Sequence, residues 1–214
     1  MDNTVGRQFF ISQTQKDIIN GCLLGDGSLE CRSKEGSARL RIHHGWKQKD
    51  FVFWKYRVLK NLVSCPPKKI ICWRNPKNNE NYYSWYFHTR TLLEFKTLYK
   101  VFYFNKKKIL PQDILDLLNP LTLSVWIMDD GCNDRRDSLI LNTQNYSIEE
   151  HYKLQKVFQR KFEAFSTINK DRDEFRLRFN CENAKKLFKI IYPNIISSMK
   201  YKIVPVETES ARTR

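Results

Sequence analysis

Apolar positions along the chain fall into two kinds of pattern, and both recur in the same order in each half. Residues 17–27, DIINGCLLGDG, and residues 121–131, LTLSVWIMDDG, are near-continuous apolar stretches that close on Asp-Gly. Each predicts a buried helix whose terminal glycine suits a left-handed C-cap. Each is followed by an alternating stretch, ARLRIH over 38–43 and SLILNTQ over 138–144, the period of a half-buried strand. Helical runs come next, near 48–62 and near 147–163. A second alternating stretch follows in each half, YYSWYFH (82–88) and EFRLRFN (174–180), then an amphipathic run, FKTLYKVFY (95–103) and AKKLFKIIY (184–192). Both series end on a Lys-aliphatic-aliphatic-Pro tetrad, at Lys108–Pro111 and Lys202–Pro205.

Any one of these matches could arise by chance; an ordered series of them reads as an internal duplication. The period, about a hundred residues, is too long for a solenoid repeat and suits two subdomains related by a pseudo-twofold. The expected fold is therefore α+β, with two αββαββα halves, paired Asp-Gly helices between them and antiparallel sheets forming a saddle. The expected boundaries are 1–104 and 121–206, with a basic linker at 105–120 and a frayed tail at 207–214.

Alternation also assigns faces. Leu40 and Ile42 should point inward and Arg39, Arg41 and His43 outward; Phe175, Leu177 and Phe179 inward and Arg176 and Arg178 outward. The same parity puts Ser84, Tyr86, His88, Asn142 and Gln144 on the outer face. That set is rich in Arg and amides, side chains able to read base edges in a major groove or to hold phosphates. Most aromatics, including Phe51, Trp54, Phe95, Phe102 and Phe158, fall at inward or helical positions, which favours core packing over base stacking.

Composition sharpens this. The 214 residues carry 38 Lys and Arg against 23 Asp and Glu, a net +15, which predicts attraction to a polyanion. The positive residues are spread along the chain rather than gathered in one amphipathic helix, so a long nucleic acid fits better than a membrane surface. Loop cations at Arg32, Lys34, Lys47, Lys49, Arg74, Lys77, Arg135, Arg136 and Arg172 would add phosphate contacts. No apolar run reaches the length of a spanning helix, and the start MDNTVGRQFF has no signal core. The 6 cysteines include no C-x-x-C pair, and Cys65, Cys72 and His88 read as ordinary packed side chains rather than a zinc site. Free thiols predict a reducing, intracellular compartment. The abundance of Lys, Asn, Ile and Phe suggests AT-rich codons, hence an organelle or an AT-rich bacterial cytoplasm.

The segments Ile19–Gly27 (INGCLLGDG) and Leu123–Gly131 (LSVWIMDDG) resemble the paired signature of LAGLIDADG homing endonucleases, and the order of elements resembles that family over nearly the whole chain. The Lys-x-x-Pro tetrads and Leu141-Asn-Thr-Gln144 are similar to its single-chain, intron-encoded members. In that family the two helices pack face to face. Here the small positions are Gly21 and Gly25 in the first but Val125 and Asp129 in the second, which predicts an asymmetric seam.

The resemblance implies a chemistry. A carboxylate is disfavoured at a helix C-terminus, and two such ends brought together repel, unless a hard divalent cation lies between them. It implies Asp26 and Asp130 as metal-binding carboxylates, with backbone carbonyls of Gly25 and Asp129 completing the set, and two or more Mg²⁺ ions for which Mn²⁺ would substitute. Lys108 and Lys202 match the active-site lysines, and Gln144 and His43, read as equivalent points of the two halves, would hold water. The implied activity is site-specific cleavage of a long asymmetric double-stranded DNA target by a monomer, leaving 3′ overhangs and promoting intron mobility. An RNA-splicing maturase would need an RNA surface but not the metal site, so retention of both aspartates favours cleavage. A non-catalytic DNA-binding regulator would want a helix-turn-helix, for which these 214 residues leave no room. A metabolic enzyme is disfavoured because no cofactor loop or nucleophilic triad is visible.

Overall fold

The computed structural model describes residues 9–31, 37–134 and 138–203. Arg32, Lys34, Arg135, Arg136, Pro205 and the tail 207–214 lie outside the described residues.

Two helices form the spine. Helix α1 (Gln13–Leu24) starts at Ser12, whose hydroxyl accepts from the Gln15 amide while the Gln15 side chain accepts from the Ser12 amide. That reciprocal cap satisfies two donors the first turn would otherwise leave bare. Helix α5 (Pro120–Asp130) starts at Asn119, which accepts from the Thr122 amide, with proline at a position where no donor is lost. Each helix is buried on all sides along its C-terminal part, Ile18–Leu24 in α1 and Thr122–Asp129 in α5, as a helix in the middle of a core must be. They pack against each other through the small positions. A Cβ on Gly21 would stand 2.6 Å from the Thr122 carbonyl oxygen and 2.6 Å from Val125 Cβ, and one on Gly25 would stand 2.5 Å from Asp129 Cβ. The seam is asymmetric as the sequence predicts: absent side chains on α1 admit bulk from α5. Thr122 also donates across it to the Asp17 carbonyl, at 3.1 Å.

Each spine helix runs directly into a hairpin. After α1 come β1 (Ser28–Cys31) and β2 (Ala38–Gly45), then α2 (Lys49–Val58), β3 (Lys68–Arg74), β4 (Asn81–His88) and α3 (Leu93–Phe102). After α5 come β7 (Gly131–Asp134) and β8 (Ser138–Leu141), then α6 (Ile148–Phe162), β9 (Thr167–Asp171), β10 (Glu174–Phe179) and α7 (Cys181–Ile191). The sheets are antiparallel with orders β1-β2-β4-β3 and β7-β8-β10-β9, the same topology twice. Their inner faces, with Leu40, Ile42 and Phe87 in one and Leu139, Leu141, Leu177 and Phe179 in the other, pack on the helices in one core.

The segment expected as a linker is itself built. Strands β5 (Tyr103–Phe104) and β6 (Lys107–Lys108) form a tight hairpin, its turn residues Asn105 and Lys106 both left-handed, φ 47° and 65°. That is the twist a two-residue hairpin demands. A one-turn helix, α4 (Ile114–Leu117), follows and the segment buries Leu110, Ile114 and Leu118. The thiols are less uniformly packed than expected: Cys22 is buried, whereas Cys65, Cys72 and Cys132 are exposed and none is bridged among the described residues.

The close approach at Gly21 sets a stability test. Gly21→Ala is expected to lower the unfolding free energy by about 1–3 kcal/mol in urea titration, the usual cost of overpacking, because backbone rather than a flexible side chain blocks the new methyl. A gain in stability, as helix propensity alone would give, would contradict the seam geometry.

Candidate active site

The spine helices do not end as their Asp-Gly sequences suggest. No described glycine has positive φ, and Gly131 is extended at φ −69°, ψ 141°. What requires glycine is space. A Cβ on Gly27 would lie 2.7 Å from the Cys22 carbonyl oxygen, and one on Gly131 would lie 2.5 Å from that of Ile127. The chain folds straight back from helix into strand, so each aspartate is held at the turn, where the spine meets the outer surface.

Three carboxylates gather there. Asp26 is about half exposed, whereas the Asp129 side chain is fully buried and crosses the seam, its Oδ2 accepting from the Asp26 amide at 3.3 Å. Asp130 accepts from Trp126 Nε1 at 3.1 Å, one turn back on its own helix. Burial, reinforced by the charges of Asp129 and Asp26, pushes Asp130 up to about 8. Asp26 moves the other way, held below the usual carboxylate range chiefly by a hydrogen bond from His44.

The two lysines of the Pro tetrads arrive from opposite sides. Lys108 donates to the carbonyls of Gly25 (2.6 Å) and Gly27 (2.9 Å), and Lys202 donates to the carbonyl of Asp129 (2.9 Å). Burial lowers the pKa of both, with the neighbouring aspartates opposing. The structure thus brings together Asp26, Asp130, Lys108, Lys202 and the two expected carbonyls. It does not bring Gln144 with them. Ser28 pairs with Arg41 as Cys132 pairs with Ile140, each two residues beyond its aspartate, so Asn142, not Gln144, stands where His43 stands. Asn142 donates both its amide and side-chain nitrogen to the Asp130 carbonyl, while Gln144 donates to Asp171 on β9.

Two residues that sequence reasoning passed over lie at the centre. His44 faces inward from β2, and Lys55, on the buried side of α2, is wholly inaccessible. The Lys55 ammonium is 2.7 Å from Asp129 Oδ1 and 3.0 Å from His44 Nε2, and 3.9 Å above the Phe51 ring. Burial disfavours its charge, but Asp129 and neighbouring acids outweigh that and hold the group protonated. The same burial raises Cys22, beside this ammonium, to about 12, so it stays a thiol. Asp26, His44 and Asp129 offer ligand atoms within 4.8 Å of one another, as a metal site would, but the ammonium already sits among them.

On the outer sheet faces the parity reading places most side chains correctly. Arg39, Arg41, His43, Tyr86, His88, Arg176 and Arg178 are all half-buried on the outer side of alternating strands, and Asn142 and Gln144 are half-buried just past the end of β8. Ser84 is the exception: it is 3% exposed, because it lies opposite Gly45 and His43 Nε2 closes over its hydroxyl at 2.6 Å. Acids missing from the expected set organise this face. Glu30 on β1 pairs with Arg39 at 2.6 Å and lies 3.9 Å from Arg41 and 3.6 Å from His88; Asp171 lies 3.5 Å from Arg176. Desolvation, followed by the adjacent arginines, lowers the pKa of His43 and His88. Lys47, Lys49, Arg74, Lys77 and Arg172 are exposed.

Comparison with known proteins agrees with this fold. Residues 16–187 match the LAGLIDADG DNA endonuclease family. The chain is 32% identical over 192 residues to a cytochrome b mRNA maturase bI2 of Debaryomyces hansenii, covering 87% of this chain and 72% of that protein. It is 25% identical over 210 residues to the DNA endonuclease I-ChuI of Chlamydomonas applanata, covering 90% and 95%. Its fold is similar to that of the homing endonuclease I-WcaI bound to its DNA recognition sequence, with a TM-score of 0.85 and 24% identity over 92% of this chain and 89% of that one. The chain, with its duplicated α+β architecture and paired Asp-Gly helices, belongs to the LAGLIDADG DNA endonuclease family.

Proposed function

We propose that this protein is a metal-dependent, site-specific double-strand DNA endonuclease acting as a monomer of two halves, 1–104 and 121–206, joined through 105–120. The observation that carries the reading is the convergence of Asp26 and Asp130 at the adjoining ends of the spine helices, each flanked by a lysine-held carbonyl. A hard divalent cation fits this donor set. Carboxylate and carbonyl oxygens supply it, and a carboxyl driven up to about 8 by burial and like charge is one that a cation would relieve. Asp26, Asp130 and the carbonyls of Gly25 and Asp129 would hold Mg²⁺, with Mn²⁺ as substitute. Bound there, the ions would activate water and neutralise charge at the scissile phosphate.

The chain's own groups support that chemistry. Lys108 and Lys202 place positive charge beside the carboxylates, where negative charge develops on a phosphate in cleavage. Asn142, just past β8, fixes the Asp130 carbonyl. The outer sheet faces read the duplex through Arg39, Arg41, His43, Tyr86, His88, Arg176 and Arg178, while exposed loop cations hold its backbone. Staggered cuts with 3′ overhangs at an intron insertion site, in an organelle, complete the reading; the likeness to a cytochrome b mRNA maturase supports the setting. That same likeness favours a second activity, assistance of RNA splicing, which would use a basic surface without the carboxylates.

Selection of cleaved sites from a random duplex library with Mg²⁺, against a Ca²⁺ control, tests the proposal: specific cutting is expected with Mg²⁺ and binding without turnover with Ca²⁺. Asp26→Asn and Asp130→Asn are each expected to reduce double-strand cutting by about a thousandfold or more while leaving DNA affinity within about threefold. Full activity in either variant would refute the site assignment.

The raised Asp130 gives a signed pH dependence. A carboxyl that titrates near 8 must lose its proton before it can bind a cation, so apparent Mg²⁺ affinity should rise with pH up to that point and then level off. The half-saturating Mg²⁺ concentration for cleavage is expected to fall by up to about tenfold per pH unit below it, one proton being released. A half-saturation that is flat from neutral pH upward would exclude Asp130 as the titrating ligand.

A further inference from the structure

We infer that Lys55 is a positioning residue for one of the two carboxylate sites only, fixing Asp26 through His44 on one side and Asp129 on the other. The inference rests on the nuclease reading above.

The hydrogen bonds leave few alternatives. A lysine ammonium has donors and no acceptor, so His44 Nε2, 3.0 Å away, must accept from it. In the neutral ring that puts the proton on Nδ1, which lies 3.5 Å from Asp26 Oδ2. On the other side Lys55 donates to Asp129 Oδ1 at 2.7 Å, and Asp129 Oδ2 accepts from the Asp26 amide at 3.3 Å. The result is a closed ring through four residues in which Asp26 is held by its backbone and by its carboxylate. Both grips lead back to one inaccessible cation.

Among the described residues the second half has no such ring. Gly25, the counterpart of Asp129, has no side chain. Thr143 occupies the place of His44; its hydroxyl is 2.9 Å from His151 Nε2, and its other hydrogen bonds, like that of His151 Nδ1, go to backbone groups rather than to Asp130. Asp130 is held instead by Trp126 of its own helix. Partners that orient a metal-binding side chain from behind typically change activity by about 10–100-fold when removed, and here that loss should fall on one side.

Strand-resolved cleavage tests this, with each strand of a duplex target carrying its own dye. Lys55→Met alone strands the buried Asp129 charge and risks unfolding, so Lys55→Met/Asp129→Asn, which removes both charges, is measured beside it, with thermal unfolding to show that it folds. The strand whose cutting Asp26→Asn slows more is expected to lose about tenfold or more in single-turnover rate in the double variant, and the other strand distinctly less, so that nicked product accumulates. Equal loss on both strands, or none, overturns the inference. A second readout is independent of cleavage: ¹⁵N NMR of labelled histidine should show His44 of the wild type protonated at Nδ1 alone, and that signature should be lost in the double variant. An Nε2-protonated or doubly protonated His44 in the wild type, or an unchanged signal in the variant, also overturns it. If the wild type cuts neither strand, the nuclease reading fails and the NMR result alone decides the role of Lys55.

Discussion

Everything at the site follows from how closely α1 and α5 approach. Glycines at 21 and 25 let the α1 backbone come within contact of α5 side chains, and that contact brings the two helix ends to one level beneath the sheets. Had either position carried a side chain, the helix ends would stand farther apart, and Asp26 would add less to the upward push that burial and Asp129 give Asp130. The seam therefore sets the electrostatics as much as the shape. It creates a crowded acidic centre whose repulsion must be met by cations, and the protein brings lysines to it from three directions: α2, the β5–β6 hairpin and the segment after α7.

The crowding has a cost that the rest of the fold offsets. Burying a lysine and an aspartate together removes both from water, and such a pair holds only when its remaining hydrogen-bonding capacity is used. Lys55 meets that condition with a carboxylate, an imidazole and an aromatic face about it. On the outer faces the same logic runs at lower stakes. Glu30 and Asp171 hold arginines in defined poses on half-buried strands, reducing the disorder those long side chains would carry into a complex.

Much of this was legible in the sequence, for identifiable reasons. The duplication could be read because both halves keep the same succession of periods, so each weak element was supported by its twin. Strand parity gave Leu40, Ile42 and Leu177 as core and the arginines between them as outer, since a period of two leaves no other choice. What escaped depended on register and on contacts remote in sequence. His44 follows Ile42 by two and so reads as one more inward residue; nothing local says that it faces Lys55. Lys55 itself was detectable in principle, four residues after Phe51 on the side of α2 that must be buried, where an unpaired ammonium would not be tolerated. Its partner Asp129 was read only as a seam position and a carbonyl ligand, because Asp130 beside it is the carboxylate that aligns with Asp26. Gln144 was misplaced by two residues of register, which only the hairpin pairing reveals, and Ser84 was covered by a histidine from the adjacent strand.

The division of labour along the seam also bears on ancestry. A protein assembled from two copies of the first half would set glycine against glycine and leave a hollow where Val125 and Asp129 now sit. Two copies of the second would drive valine into valine and bury a pair of aspartates with no lysine between them, since His151 rather than an ammonium meets Thr143. Hollow and ridge have become complementary, so neither part can now replace the other. Whatever symmetric dimer such a chain descends from, fusion has let its halves specialise into a lock and its only key.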